Sequence, residues 1–177
     1  MEIYELLKAD HEKVKDLLNQ LLSLEDDDVG GRNHFVNEIR NALIPHSRAE
    51  ESVFYNSLRT LDSGRGMVMH SYKEHLEAEN LLRMLQVEDK THLSWRSTAE
   101  KLKEALDHHI TEEETRLFET ARNAFTTQEA QMMGAAFEKL KPEIKEQGLA
   151  GTTWDLIANL MPPRFSDTFR KSSSPHL

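Results

Sequence analysis

Ala42-Leu43-Ile44-Pro45-His46-Ser47-Arg48-Ala49-Glu50-Glu51-Ser52-Val53-Phe54-Tyr55 decides how this chain is read, because the same frame returns sixty-three positions later. The second copy is Ala105-Leu106-Asp107-His108-His109-Ile110-Thr111-Glu112-Glu113-Glu114-Thr115-Arg116-Leu117-Phe118. Both contain Ala-Leu-x-x-His-x-x-x-Glu-Glu followed by an apolar pair. A helical residue turns by about 100°, so a His and a Glu four apart share a face and can grip one ion. Imidazole plus carboxylate is a ligand set for iron, manganese or zinc. One such pair is more often a surface ion pair. Two in one small domain point to two metal ions, or to one ion held between equivalent half-sites.

Working outward, a second repeat appears with an offset of 64: Asp10-His11 with Leu17-Leu18 beyond it matches Glu74-His75 with Leu81-Leu82 beyond it. Helical spacing of apolar residues predicts a first helix over residues 2–24, where His11 lies on the stripe of Leu7, Val14 and Leu18. The acid run Glu25 to Asp28 and Gly30-Gly31 read as a loop. A second helix over 32–61 faces Phe35, Ile39, Leu43, His46, Val53 and Leu58 inward, with a kink beside His46 from Pro45. Asp62 to Gly66 reads as a turn. A third helix over 67–87 carries Tyr72, Ala78, Leu82 and Leu85 on the face of His75, and Glu88 to Ser94 is a polar link. The fourth, over 95–125, carries Ala99, Leu102, Leu106, His109, Glu113 and Leu117 inward.

The fold expected is therefore all-α: an up-down-up-down four-helix bundle over residues 1–125, made of two similar hairpins joined by short links. Thr126 and Glu129 form a capping-box signature for a fifth helix holding Met132, Met133, Ala136, Phe137 and Leu140, which Pro142 should bend or end. Residues 126–165 form a helical extension that packs on the bundle or pairs with a second chain as a homodimer. Within it Gln147 to Thr153 reads as loose, and Trp154 to Leu160 as a short apolar segment stopped by Pro162-Pro163. Residues 166–177, rich in Ser, read as a mobile tail.

Composition narrows the function. The net charge of −9 disfavours a nucleic-acid surface. The absence of cysteine removes disulfides, thiolate zinc sites, iron–sulfur ligation and thiol catalysis together, and fits a cytoplasmic setting. No apolar run approaches a membrane span, and the first residues lack a signal core.

The candidate metal ligands are His11, His46, Glu50, His75, His109 and Glu113. Pseudo-two-fold symmetry assigns two His and one Glu to each of two ions. Two bridging carboxylates plus a solvent-derived oxo or hydroxo bridge would leave open positions for a small diatomic ligand. Nitrogen-rich ligation favours iron over zinc or manganese. Each ligating ring needs an outer hydrogen-bond partner. Tyr4 and Tyr72, on the faces of His11 and His75, are candidates to shape the pocket. Glu51 and Glu114 repeat too, one step round the helix from the candidate ligand glutamates, and read as solvated, as outer partners, or as a further ligand at one of the two. His108 is turned by about 100° from His109, and His70 by about 140° from His75, so both read as surface residues. His34, His92 and His176 lie in or near loops and termini.

These six residues, in this order and spacing, resemble the hemerythrin-like HHE cation-binding family. The resemblance implies a four-helix bundle with a non-haem di-iron centre that handles dioxygen, hydrogen peroxide or nitric oxide. The oxygen carriers of that superfamily place a fifth His four residues after their third-helix His. Here that position is Glu79, either a carboxylate ligand or a solvent-facing residue, and the resemblance is closer to the bacterial stress-response members.

Two classes of function follow: a di-iron protein that binds or consumes a small oxidant, and an iron store or iron and oxygen sensor acting without turnover through the segment beyond the bundle. A ferritin-like oxidase needs Glu-x-x-His, and no His here has a Glu three residues before it. A zincin needs His-Glu-x-x-His, and the residue four after His11 is Lys15.

Overall fold

The computed structural model describes residues 1–88, 95–151 and 157–173. Helix α1 is Ile3–Leu22, opened by the Glu2 N–H donating to Glu5 Oε2 at 3.1 Å. The next helical rod, α2, is built from Val29–Glu50, a wider π-helical turn at Glu51–Tyr55, and Asn56–Leu58. Its start is capped by the Asp28 carboxylate, which accepts from the Gly31 N–H at 2.8 Å. Helix α3 is Asp62–Glu88. The rod α4 repeats the pattern of α2: Trp95–Glu112, a π-helical turn at Glu113–Leu117, then Phe118–Ala124. Helices α1 to α4 close a ring in which α1 contacts α2 and α4, and α3 contacts α2 and α4. The expected four-helix bundle is thus the fold.

The helix bounds differ from the sequence reading in ways that have local causes. Asp28 caps α2 earlier than expected, so Val29, Gly30 and Gly31 are helical. Pro45 sits inside α2 without breaking it. Asp62 to Gly66, expected as a turn, already belongs to α3. Helix α5, Thr127–Gly151, opens as its capping box predicted: the Thr126 N–H donates to Glu129 Oε2 at 2.9 Å and the Glu129 N–H to Thr126 Oγ1 at 3.2 Å. It runs through Pro142 and beyond Gln147, which the sequence assigned to a loose stretch, and departs from helical angles only at Gly148 (φ 69°, ψ 176°). The Glu88–Ser94 link beyond Glu88 and residues 152–156, including Trp154, lie outside the described residues. Most of the stretch expected as a mobile tail is helix: α6 spans Pro163–Ser173 and buries Phe165 and Phe169, while 174–177 lie outside the described residues.

The apolar interior has two parts. One cluster, with Val14, Leu18, Ile39, Leu43, Ala78, Leu82, Leu102 and Leu106, fills one end of the bundle. The other gathers Ile3, Leu7, Val53, Phe54, Tyr55, Leu117 and Phe118 with Met133, Phe137 and Leu140 of α5 and Phe165 and Phe169 of α6. In all four helices the candidate ligands fall between the two: His11 follows Leu7 and precedes Val14, and His46 and Glu50 separate Leu43 from Val53. Helix α5 therefore spends its apolar face on α1 and α2.

Two contacts fasten the extension, and each supports a test. A Cβ built on Gly134 of α5 would collide with the Met1 carbonyl oxygen and come within 3.2 Å of the Ile3 backbone nitrogen. Gly134→Ala should gain about 1 kcal/mol in helix propensity but lose more to this backbone collision, for a net loss of about 1–2 kcal/mol in urea unfolding. The second contact is Arg164 of α6, whose Nη2 donates to Glu129 Oε2 at 2.8 Å and to the Ala124 carbonyl at 2.9 Å. Burial pushes the Glu129 carboxyl up, but Arg164 and Thr126 outweigh it and hold the group below its ordinary value. A folded pKa below the unfolded one stabilises above the unfolded value, and that stability disappears as pH falls through the folded pKa. Glu129→Gln should therefore flatten the loss of thermal stability below about pH 4.3 and leave a smaller Tm at neutral pH.

Candidate metal centre

Each ligand candidate reaches the bundle axis from a different turn: His11 from α1, His46 and Glu50 from α2, His75 from α3, His109 and Glu113 from α4. All six are at most 3% exposed. Glu50 Oε2 lies 3.6 Å from His46 Nε2 and 3.3 Å from His75 Nε2. Glu113 Oε2 lies 3.4 Å from His11 Nε2 and 3.6 Å from His109 Nε2. Each carboxylate thus touches one imidazole of its own hairpin and one of the other. The ligating atoms of His11, His46 and Glu50 all lie within 4.8 Å of one another, and so do those of Glu50, His75 and His109.

The donors converge on one point of the bundle axis, and several of their atoms are left without a hydrogen bond among the described residues. His11 Nε2 and all four carboxylate oxygens of Glu50 and Glu113 are buried without a hydrogen bond among the described residues. His75 Nε2 and His109 Nε2 face each other at 3.1 Å. An unpartnered buried carboxylate costs several kcal/mol, so this donor set fits a cation that takes the place of the missing bonds. Without one, protons must serve. Burial and the neighbouring Glu113 push the Glu50 carboxyl well above its usual value. Burial raises Glu113 too, but the His11 and His109 imidazoles outweigh it and hold it low. His11, which burial alone would lower, is lifted to about 10 by Glu113 and Glu114. His46 is lowered to about 4, chiefly by burial.

Every ring has its outer nitrogen fixed by a carboxylate. His11 Nδ1 is 2.9 Å from Glu114 Oε1, and His75 Nδ1 is 2.9 Å from Glu51 Oε1. His46 Nδ1 is 3.1 Å from Asp10 Oδ2, and His109 Nδ1 is 2.9 Å from Glu74 Oε2. The arrangement is two-fold: Asp10 and Glu74 serve the His of their own hairpin, while Glu51 and Glu114 cross to the other. A carboxylate on Nδ1 fixes the tautomer that aims Nε2 inward. Three of these carboxylates are themselves held by a cation. Lys141 of α5 sits 2.6 Å from Asp10, Arg48 sits 3.1 Å from Glu51, and Lys8 sits 3.5 Å from Glu114.

The structure brings together the six residues expected from the sequence, and beside them four outer carboxylates that the sequence reading did not assign securely. Their signal was present, since Asp10 and Glu74 each precede a candidate ligand His and Glu51 and Glu114 each follow a candidate ligand Glu. Glu79 is neither solvent-facing nor among the converging ligand groups: it is buried and paired with Arg48 Nη2 at 2.7 Å. Tyr4 lies in the apolar cluster against Phe54 and Phe118, at ring distances of 6.0 and 5.2 Å, and not beside the six. Tyr72 reaches the Glu51 carbonyl at 3.4 Å. The tyrosine at the site is Tyr55, stacked on His75 at 5.4 Å with its hydroxyl 3.5 Å from His75 Nε2. Burial, with Glu113 and Glu50 nearby, pushes that phenol well above its usual pKa, so it keeps its proton. A cavity of about 480 Å³ opens beside the centre, lined by Met67, His70, Ser71, Glu112, Glu113 and Leu117 among others.

With this geometry in view, known proteins add two findings. The family model described as "Hemerythrin HHE cation binding domain" matches residues 2–121. A curated protein named "DNA nickase", from Nostoc sp. (strain PCC 7120 / SAG 25.82 / UTEX 2576), is 24% identical over 147 residues, which cover 83% of this chain and 41% of that protein. The chain therefore spans less than half the length of this relative. No solved structure matches. The outer carboxylates supply the test of this geometry. Glu114→Ala, at a side chain 22% exposed, should leave the helical content unchanged and weaken metal affinity by about 10–100-fold in a chelator competition. Equal affinity would mean that Glu114 does not orient His11.

Proposed function

The chain belongs to the hemerythrin HHE cation-binding domain family, and on that footing we propose that it is a non-haem di-iron protein which binds or detoxifies a small oxidant: dioxygen, hydrogen peroxide or nitric oxide. The observation that carries this reading is the pair Glu50 and Glu113, buried, without hydrogen-bond partners among the described residues, and each placed between imidazoles of the two hairpins. In it, His11, His46, His75 and His109, together with Glu50 and Glu113, are the residues that would hold the metal. Such a centre, when loaded, supplies one-electron redox chemistry and open coordination positions. The chain's own groups do the rest. Asp10, Glu51, Glu74 and Glu114 fix the four rings, the two apolar clusters exclude water, and the protonated Tyr55 hydroxyl offers a hydrogen bond beside His75.

A second reading, an iron or oxygen sensor without turnover, draws on one specific observation. Lys141 of α5 holds Asp10, Asp10 holds His46, and the Phe137 ring lies 5.9 Å from the His46 ring. A change at His46 is therefore in direct contact with the helix outside the bundle. Nucleic acid stays outside the proposal despite the relative's name, because a net charge of −9 opposes a polyanion. No helix among the described residues is long and apolar enough to cross a membrane, and a cytoplasmic setting is proposed from the absence of cysteine.

Metal analysis of protein from iron-supplemented cells should find about two irons per chain, as expected for a bundle with a di-metal core. Glu113→Gln, which keeps the shape and removes the charge, should lose iron while far-UV circular dichroism stays the same. Stopped-flow mixing of the ferrous protein with each oxidant should change the visible spectrum for at least one. A folded chain with one zinc or none, or a ferrous protein inert to all three, would overturn the reading.

A further inference from the structure

Of the four carboxylates that orient the ligand histidines, three end on a permanent cation: Lys141, Arg48 or Lys8. The fourth, Glu74, does not follow the pattern. Its Oε2 lies 2.9 Å from His109 Nδ1, and its Oε1, buried and without a hydrogen bond among the described residues, points toward His70 Nε2 at 3.3 Å and His108 Nε2 at 3.6 Å. His70 Nε2 in turn lies 3.5 Å from Glu112 Oε2, while the other Glu112 oxygen is taken by Arg116 at 3.2 Å. Ligand atoms of His70, Glu74, His108 and Glu112 all lie within 4.8 Å of one another. Two imidazoles and one further carboxylate, Glu112, thus gather beside Glu74, where the other three carboxylates have an ammonium or guanidinium. The residues come as His-x-x-x-Glu pairs on facing helices, His70 with Glu74 and His108 with Glu112, the spacing used by the buried ligands.

We propose that His70, Glu74, His108 and Glu112 form a surface site for a divalent transition-metal ion, which supplies the cation that Glu74 lacks and stages ions for entry to the buried centre. Two nitrogens and two oxygens suit ferrous iron, zinc or manganese. His70 and His108 are more than half exposed, so the site is open to solvent. The staging role rests on the di-iron reading above and on one further observation. The cavity of about 480 Å³ is lined by His70 and Glu112 and also by Glu113, so the surface ligands and a buried one share a wall. Glu74 links the two through His109, with one oxygen on His109 Nδ1 and the other toward His70 and His108.

The test compares the full chain with a His70→Ala/His108→Ala double variant, whose exposed substitutions leave both apolar clusters intact. Both proteins are equilibrated with zinc, freed of loose ion, and counted for total metal. The double variant should hold one ion per chain fewer, whatever the interior holds, and an equal count would overturn the site. Metal-free protein is then mixed anaerobically with ferrous iron, and uptake is followed against a ferrous chelator. Loss of the surface ligands should slow loading by about tenfold, the scale expected for losing a local attractor of the ion, and equal rates would overturn the staging role. If the interior binds no metal, the wild type holds a single ion and the variant none. The surface site then stands and the di-iron reading falls, so the two failures are distinct.

Discussion

Glu50 and Glu113 place two carboxyl groups side by side at the centre of a four-helix bundle, at 0% and 1% exposure. Leaving both ionised and unneutralised would cost several kcal/mol each, comparable with the whole stability of a domain, about 5–15 kcal/mol. The surrounding structure answers this constraint. Four imidazoles surround the pair, a carboxylate stands behind each imidazole, and three of those carboxylates have a basic side chain behind them. Acidic and basic groups alternate outward from the axis, so each buried polar group has a partner behind it, while apolar clusters lie on either side of the layer.

The π-helical turns at Glu51–Tyr55 and Glu113–Leu117 belong to the same problem. Each begins at or just after a buried glutamate, in the equivalent place of each hairpin. A π turn adds one residue to the helical circuit and re-phases the residues after it by about 100°. It lets α2 present Glu50 inward and then bring Tyr55 against His75. In a regular helix Tyr55 would be turned about 140° from Glu50. The extra residue is therefore how one helix serves both the ligand layer and the aromatic cluster below it.

Helix α5 makes the centre asymmetric. On its side of the bundle, Lys141 and Phe137 back the Asp10–His46 pair. On the opposite side the equivalent Glu74–His109 pair meets His70, His108 and solvent. A near-symmetric sequence repeat thus becomes a structure with a covered half and an open half, and the open half is where the cavity reaches Glu113.

The helical periodicity of the leucines determined the bundle, because amphipathic helices joined by short links have few ways to bury their stripes. The twice-used His-x-x-x-Glu frame determined the inner donor set, because residues four apart must share a helical face. Those are local facts, and the sequence carries them in full. What it left to the tertiary structure depends on which faces meet. The spacing of His70 with Glu74 and His108 with Glu112 is the same as that of the ligand pairs, yet only the packing of α3 on α4 brings the two pairs together. Asp10 serving His46, and Glu114 crossing to His11, depend on neighbours 36 and 103 residues apart. Glu79 was judged against a ligand or solvent because Arg48, its partner, lies on another helix. Tyr55 was hidden by the π turn, which periodicity counted at 100° per residue does not see. Composition marks the Ser-rich end as a tail, whereas Phe169 in it joins the apolar cluster on which α6 packs against the end of α2. Helix by helix the chain is legible; the contacts between helices, which set the outer carboxylates and the open side of the centre, are decided only when the faces meet.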